Sequence, residues 1–241
     1  YKTRMTQTNA KSTATLEIDA LSYGPYGIGR LDGKAIMVPY TAPGDTVEVR
    51  ITEEKERYAV GEATRVCTPS SLRQAPPCPY VGACGGCSWQ HLRYDPQLKA
   101  KQQSVVDALR RIGKLGDFEL KPIIPSAQEY GYRRRVRLQL GPKKELGFFG
   151  AASHELVEIG SCLIADNRLN CALDSLRRWV RALATPIEYV EIVAGDEPEE
   201  IVVVARAIGP FAPNDEPACA NLASDGEQIR GLIVAGADWR R

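Results

Sequence analysis

The chain has 241 residues, enough for one large domain or two modest ones with a real core. Its 44% hydrophobic and 25% charged residues argue against wholesale disorder, and no apolar run approaches the ~20 residues that span a bilayer. The net charge is only +1, yet residues 71–150 carry 14 Lys and Arg against 6 Asp and Glu, while residues 151–241 carry 8 against 15. A basic centre beside an acidic end points to an anionic partner met locally, with nucleic acid first in line.

The chain starts with a polar stretch that has no apolar h-region, so it reads as no secretory signal. Residues 1–12 are expected to be a disordered tail, and the protein to be cytoplasmic with no membrane contact. Residues 13–67 read as short strands with turn signals between them. Leu16, Ile18 and Ala20 alternate with polar residues, and a glycine-rich stretch, Gly24-Pro25-Tyr26-Gly27-Ile28-Gly29, follows. Asp32-Gly33 tolerates the positive φ of a type I′ hairpin turn. Ala35 to Val38, then Val47, Val49 and Ile51, then Tyr58 to Val66 continue the pattern. Five short strands in this span predict an OB-like β-barrel, an architecture that often binds oligonucleotides but proves no function alone.

Residues 68–94 are irregular and rich in Pro, Gly and Cys. Asp95-Pro96 then supplies an N-cap acceptor and a proline at the first helical position, predicting a linking helix over 95–114 with Leu98, Val105, Leu109 and Ile112 as its apolar stripe. Residues 115–241 read as an α+β domain with an antiparallel sheet. From Tyr132 the period is two, with Val136, Leu138 and Leu140 facing inward and Arg133, Arg135 and Arg137 sharing the open face. These three arginines are the candidate RNA contacts, to phosphates or to splayed bases. Leu146 to Phe149 and Leu156 to Ile159 are partner strands, and a second helix over about 166–183 buries Leu169, Leu173, Leu176, Trp179 and Val180. Ile187 to Val193 and Ile201 to Val204 form a hairpin, and Gly231 to Val234 is a last strand.

Seven cysteines suit no closed disulfide framework. Cys78, Cys84 and Cys87 crowd together around Gly85-Gly86, and Cys162, just after the Ile159-Gly160-Ser161 strand end, is the best fourth ligand. Four thiolates hold either zinc or an iron–sulfur cluster. Three local donors plus one remote donor depart from the paired knuckles of structural zinc, and the two glycines let backbone N–H groups approach anionic sulfurs. A [4Fe-4S] cluster on Cys78, Cys84, Cys87 and Cys162 is therefore favoured over zinc. His91 reads as a hydrogen-bonding residue rather than a ligand.

A barrel, then Cys78-x5-Cys84-Gly-Gly-Cys87-Ser-Trp89-Gln90-His91, a helix, Tyr132-Arg133-x-Arg135, Leu146-Gly147-Phe148 and Cys162 together resemble the RNA uracil-5-methyltransferase family. The iron–sulfur ribosomal RNA type is the nearest match. The resemblance implies a TRAM domain that grips RNA, a central cluster-bearing domain, and a Rossmann-like domain that binds S-adenosylmethionine. It also implies the chemistry: a thiolate adds to uracil C6, C5 attacks the methyl sulfonium, and a carboxylate removes the C5 proton. No glycine-rich cofactor loop follows residue 183, so the catalytic methyltransferase domain is expected to be missing from this chain, with S-adenosylmethionine used only by the parent enzyme. No catalytic residue is assigned, and the chain alone is expected to be inactive. In the family the linking helix packs on that domain, which implies an exposed or otherwise covered stripe here. The alternative reading is a stand-alone zinc-containing RNA-binding module. A radical methylthiotransferase is disfavoured, since it needs C-x3-C-x2-C spacing.

Overall fold

A computed structural model describes residues 13–22, 24–197, 200–224 and 229–241. The expected tail, residues 1–12, lies outside the described residues. The chain divides into two compact units, one of residues 1–79 and 87–125, the other of residues 80–86 and 126–241.

The first unit contains a closed five-stranded barrel in the order β1-β2-β3-β5-β4, as the alternation of its residues predicts. Its strands are β1 (Thr13–Leu21), β2 (Tyr26–Leu31), β3 (Lys34–Pro39), β4 (Thr46–Glu54) and β5 (Tyr58–Thr68). Leu16, Ile18, Ile36, Val38, Val47, Val49 and Ala59 fill it. The β2–β3 hairpin turns at Asp32 and Gly33 with φ of 50° and 80°, the left-handed pair that the Asp-Gly dipeptide accommodates. A side chain at Gly29 would overlap Leu16 and come within 2.5 Å of the Glu17 carbonyl oxygen, so this glycine lets β1 and β2 close together.

The linking helix differs from expectation. It is α1 (Tyr94–Asp107), begins after Arg93 with no side-chain cap, and runs into a π-helical turn over Ala108–Ile112. Asp95 lies inside the first turn rather than at its cap, because Leu92 and Arg93 are already tied by backbone bonds to Trp89 and Leu72. No residue of α1 is buried, and Val105 and Ile112 are 47% and 83% exposed.

The second unit is a six-stranded sheet in the order β11-β10-β9-β6-β7-β8. Its strands are β6 (Arg135–Leu140), β7 (Leu146–Phe149), β8 (Leu156–Glu158), β9 (Ile187–Ala194), β10 (Ile201–Ala207) and β11 (Ile229–Ala235). The expected antiparallel sheet is in fact mixed, because β11 runs parallel to β10. A helix, α3 (Glu216–Ser224), makes the crossover that a parallel pair requires, and its short polar-flanked pattern was not foreseen. The long helix α2 (Asn167–Ala182) starts where predicted, its Asp166 cap accepting from the Arg168 N–H at 3.0 Å. All five of its predicted core residues are buried, packed with Val136, Leu138, Val190, Ile192, Val203 and Ala205.

Candidate nucleic-acid interface

Alternation along β6 sends Val136 and Leu138 into the core and leaves Arg135 and Arg137 on the opposite face. Arg133 lies before the strand, where its N–H donates to the Ile164 carbonyl at 2.8 Å and its carbonyl accepts from the Asp166 N–H at 2.9 Å. The three-arginine ladder is therefore a two-residue strand feature preceded by a separately held arginine. Arg134, out of phase, pairs with Asp196 at 2.8 Å.

The open face also holds a carboxylate. Glu191 on β9 sits directly across from Arg137, and its side chain is only 13% exposed. It accepts from Arg135 at 2.9 Å and from Arg137 at 3.3 Å. Burial opposes its ionisation, but the hydrogen bonds and charges of Arg135 and Arg137 outweigh burial and hold the carboxyl below its usual range. The Arg137 guanidinium carbon also lies 4.3 Å from the centroid of the Tyr189 ring. Sequence reading placed Tyr189 and Glu191 on a strand without linking them to the arginines. The signal was present, since the two residues are in phase on that strand, but which strand neighbours β6 is a topological fact.

In the second unit, the Cys84 segment is fastened to its own sheet. The Tyr80 carbonyl accepts from the N–H groups of Ala83 and Cys84, the Gly85 N–H donates to the Phe149 carbonyl, and the Ala151 N–H donates to Ala83. The Tyr80 hydroxyl accepts from the Gly160 N–H at 2.6 Å, two residues before Cys162. Asn170 on α2 brackets Cys162, accepting from its N–H at 2.8 Å and donating to its carbonyl at 3.1 Å. A Cβ at Gly85 would come 3.1 Å from the Gly150 carbonyl oxygen, which accounts for a glycine at that position.

In the first unit, the Trp-Gln-His tail behind Cys87 clasps the barrel. His91 is 3% exposed, with Nε2 at 3.1 Å from the Thr41 carbonyl oxygen, and burial pushes its pKa down. It is a hydrogen-bonding residue, as expected. The Gln90 side chain accepts from the Cys78 N–H at 3.3 Å. The fully buried Asp45 carboxylate accepts from the Ala42 and Ser70 N–H groups and from Arg73.

The four expected ligands, Cys78, Cys84, Cys87 and Cys162, are divided between the two units. Among the described residues no group of three or more His, Cys, Asp or Glu is placed to hold a metal ion. Cys84 and Cys162 are held by bonds within the second unit, whereas Cys78 and Cys87 belong to the first. The thiol chemistry suits a soft metal or cluster.

Residues 7–64 match the family model of the TRAM domain. The matched residues take in β1 to β4 and most of β5. The chain is 38% identical to an uncharacterized RNA methyltransferase of Synechocystis over 171 residues, covering 69% of this chain and 37% of that protein. It is 36% identical to an uncharacterized RNA methyltransferase of Clostridium tetani over 235 residues, 92% of this chain and 51% of the relative. It is 34% identical to a 23S rRNA (uracil(1939)-C(5))-methyltransferase of Acidithiobacillus ferrooxidans over 215 residues, 88% of this chain and 48% of the relative. The fold resembles a crystal structure of Pyrococcus abyssi tRNA (uracil-54, C5)-methyltransferase in complex with S-adenosyl-L-homocysteine, with a TM-score of 0.64 and 23% identity over 93% of this chain and 52% of that one. The chain spans between 37% and 51% of the length of these three curated relatives. The matches lend no support to the expectation that a catalytic domain is missing. No described helix is long and apolar enough to cross a membrane.

Proposed function

We propose that this chain is the RNA-binding portion of an S-adenosylmethionine-dependent methyltransferase that modifies C5 of uracil in ribosomal RNA. The observation that carries the reading is a TRAM barrel in one chain with a region similar to RNA methyltransferases. Within this reading Arg133, Arg135 and Arg137 contact the RNA. Methyl transfer to a base requires that base to leave its stack, so binding energy gathered from flanking nucleotides has catalytic value. In the whole protein S-adenosylmethionine supplies the methyl group that uracil C5 receives. Deleting the gene and analysing the nucleosides of ribosomal RNA tests the reading. Loss of a 5-methyluridine supports it, and an unchanged 5-methyluridine content overturns it.

The finer part of the proposal is a [4Fe-4S] cluster on Cys78, Cys84, Cys87 and Cys162 with a structural role. It is supported by the cysteine spacing, and by the fastening of the Cys84 loop to Gly160 and of Cys162 to Asn170. Protein prepared without oxygen is expected to carry about four irons per chain and to absorb broadly near ~400 nm. A colourless chain with one zinc, or with no metal, overturns the assignment. Cys162→Ser is expected to lose the iron while sparing the barrel.

A further inference from the structure

Arg137 is held on two sides. Its Nε and one terminal nitrogen both donate to a single oxygen of Glu191, each at 3.3 Å, so the Nε edge of the guanidinium is already engaged. The Tyr189 ring lies beside the guanidinium, 4.3 Å from Cζ to centroid. Arg137 and Glu191 are cross-strand partners and Tyr189 is two residues before Glu191, so the three side chains rise from one face of the sheet. An edge contact and a ring contact together fix the orientation of the group. Its side chain nevertheless remains 49% exposed, which leaves a planar surface open to solvent. Arg135 is held differently: it meets the same carboxylate through one nitrogen and is 64% exposed, with more of its donor edge available.

Resting on the RNA-binding reading above, we propose that Arg137, backed by Tyr189 and steadied by Glu191, is a stacking platform for an unpaired RNA base, whereas Arg135 meets a phosphate. Splayed-out bases stack on guanidinium planes and aromatic rings, and such stacking depends on the plane rather than on the charge. Lysine keeps the charge of arginine and lacks the plane, so substitution by lysine separates the two roles. Because Glu191 already offsets one of the two arginine charges, a purely electrostatic patch would be weak here. A pre-oriented plane loses nothing by that neutralisation.

The test uses the 241-residue chain, a short single-stranded oligoribonucleotide, and an abasic strand of the same backbone, with binding followed by fluorescence anisotropy across a salt series. Arg137→Lys is expected to weaken binding of the intact strand about 5- to 100-fold, with little change in salt dependence and little effect on the abasic strand. Tyr189→Ala is expected to follow the same pattern. Arg135→Ala is expected to weaken both strands and to flatten the slope of log K against log salt by about 0.7. Circular dichroism and urea midpoints of each variant check that the sheet remains folded. Wild-type affinity in Arg137→Lys, or an equal loss on intact and abasic strands, overturns the stacking assignment. If the wild-type chain binds neither strand, the RNA-binding reading itself fails, which is a separate result.

Discussion

His91 donates its Nε2–H to the carbonyl oxygen of Thr41 at 3.1 Å, fifty residues earlier in the chain. This contact pins the segment behind Cys87 to the rim of the barrel. Leu92, wholly buried beside it, adds apolar contact, and the Arg73 N–H donates to Ser70 to shape the returning loop. His91→Ala is expected to cost about 1–3 kcal/mol in urea unfolding, because it removes a buried partner from a buried carbonyl.

The same histidine imposes a pH dependence. Burial holds its folded pKa below the ordinary 6.5, against the smaller raising effect of the Thr41 contact and of the Asp45 charge, while the Arg73 charge lowers it further. The unfolded chain therefore takes up the proton first, so the stability that neutral His91 allows is complete above 6.5 and is lost as pH falls from there through the folded pKa. Urea midpoints measured across that range should decline in the wild type, and His91→Gln should flatten the decline.

Asp45, in the connection between β3 and β4, anchors the loop of residues 70–73. Arg73 meets its carboxylate at 2.7 Å, and the Ser70 N–H donates to it at 2.8 Å. Removing the carboxylate leaves the Ala42 and Ser70 N–H groups and the partly exposed Arg73 without their acceptor, so Asp45→Ala is expected to destabilise by about 2–4 kcal/mol. Guanidinium unfolding measures this, and a loss below 1 kcal/mol would show that the pair is hydrated.

Gly29→Ala tests the close approach of β1 and β2. The new methyl group meets the Leu16 side chain and the Glu17 backbone, and only the former can move. Destabilisation of about 1–3 kcal/mol is expected, read as a lower thermal midpoint of the barrel.

The second unit offers a comparison in which the fold should hold. Asn170→Ala removes the side chain that bonds both backbone groups of Cys162, on a helix whose core face is untouched. A loss of about 1–2 kcal/mol is expected, with hydrogen exchange at residues 160–164 rising more than in α2.

Local pattern was sufficient for the barrel strands, the Asp32-Gly33 turn, α2 with its apolar face, and the inward set Val136 and Leu138. Each is written in the alternation or helical spacing of nearby residues, which is why a sequence reads them out. The start of α1 falls at Tyr94 because the turn from Trp89 to Leu92 and the bond from Arg93 to the distant Leu72 override the cap that Asp95-Pro96 offers. The parallel placement of β11 beside β10 and the neighbouring of β9 with β6 are choices among sheet orders that alternation leaves equal. That choice brought Glu191 and Tyr189 to the arginines and changed an open basic ladder into a partly neutralised, oriented pair. Sequence by itself determined which residues point to solvent along each strand, since side chains alternate with period two. Only the tertiary structure decided which charges face one another, because pairing between strands far apart in the chain depends on the packing of the whole sheet.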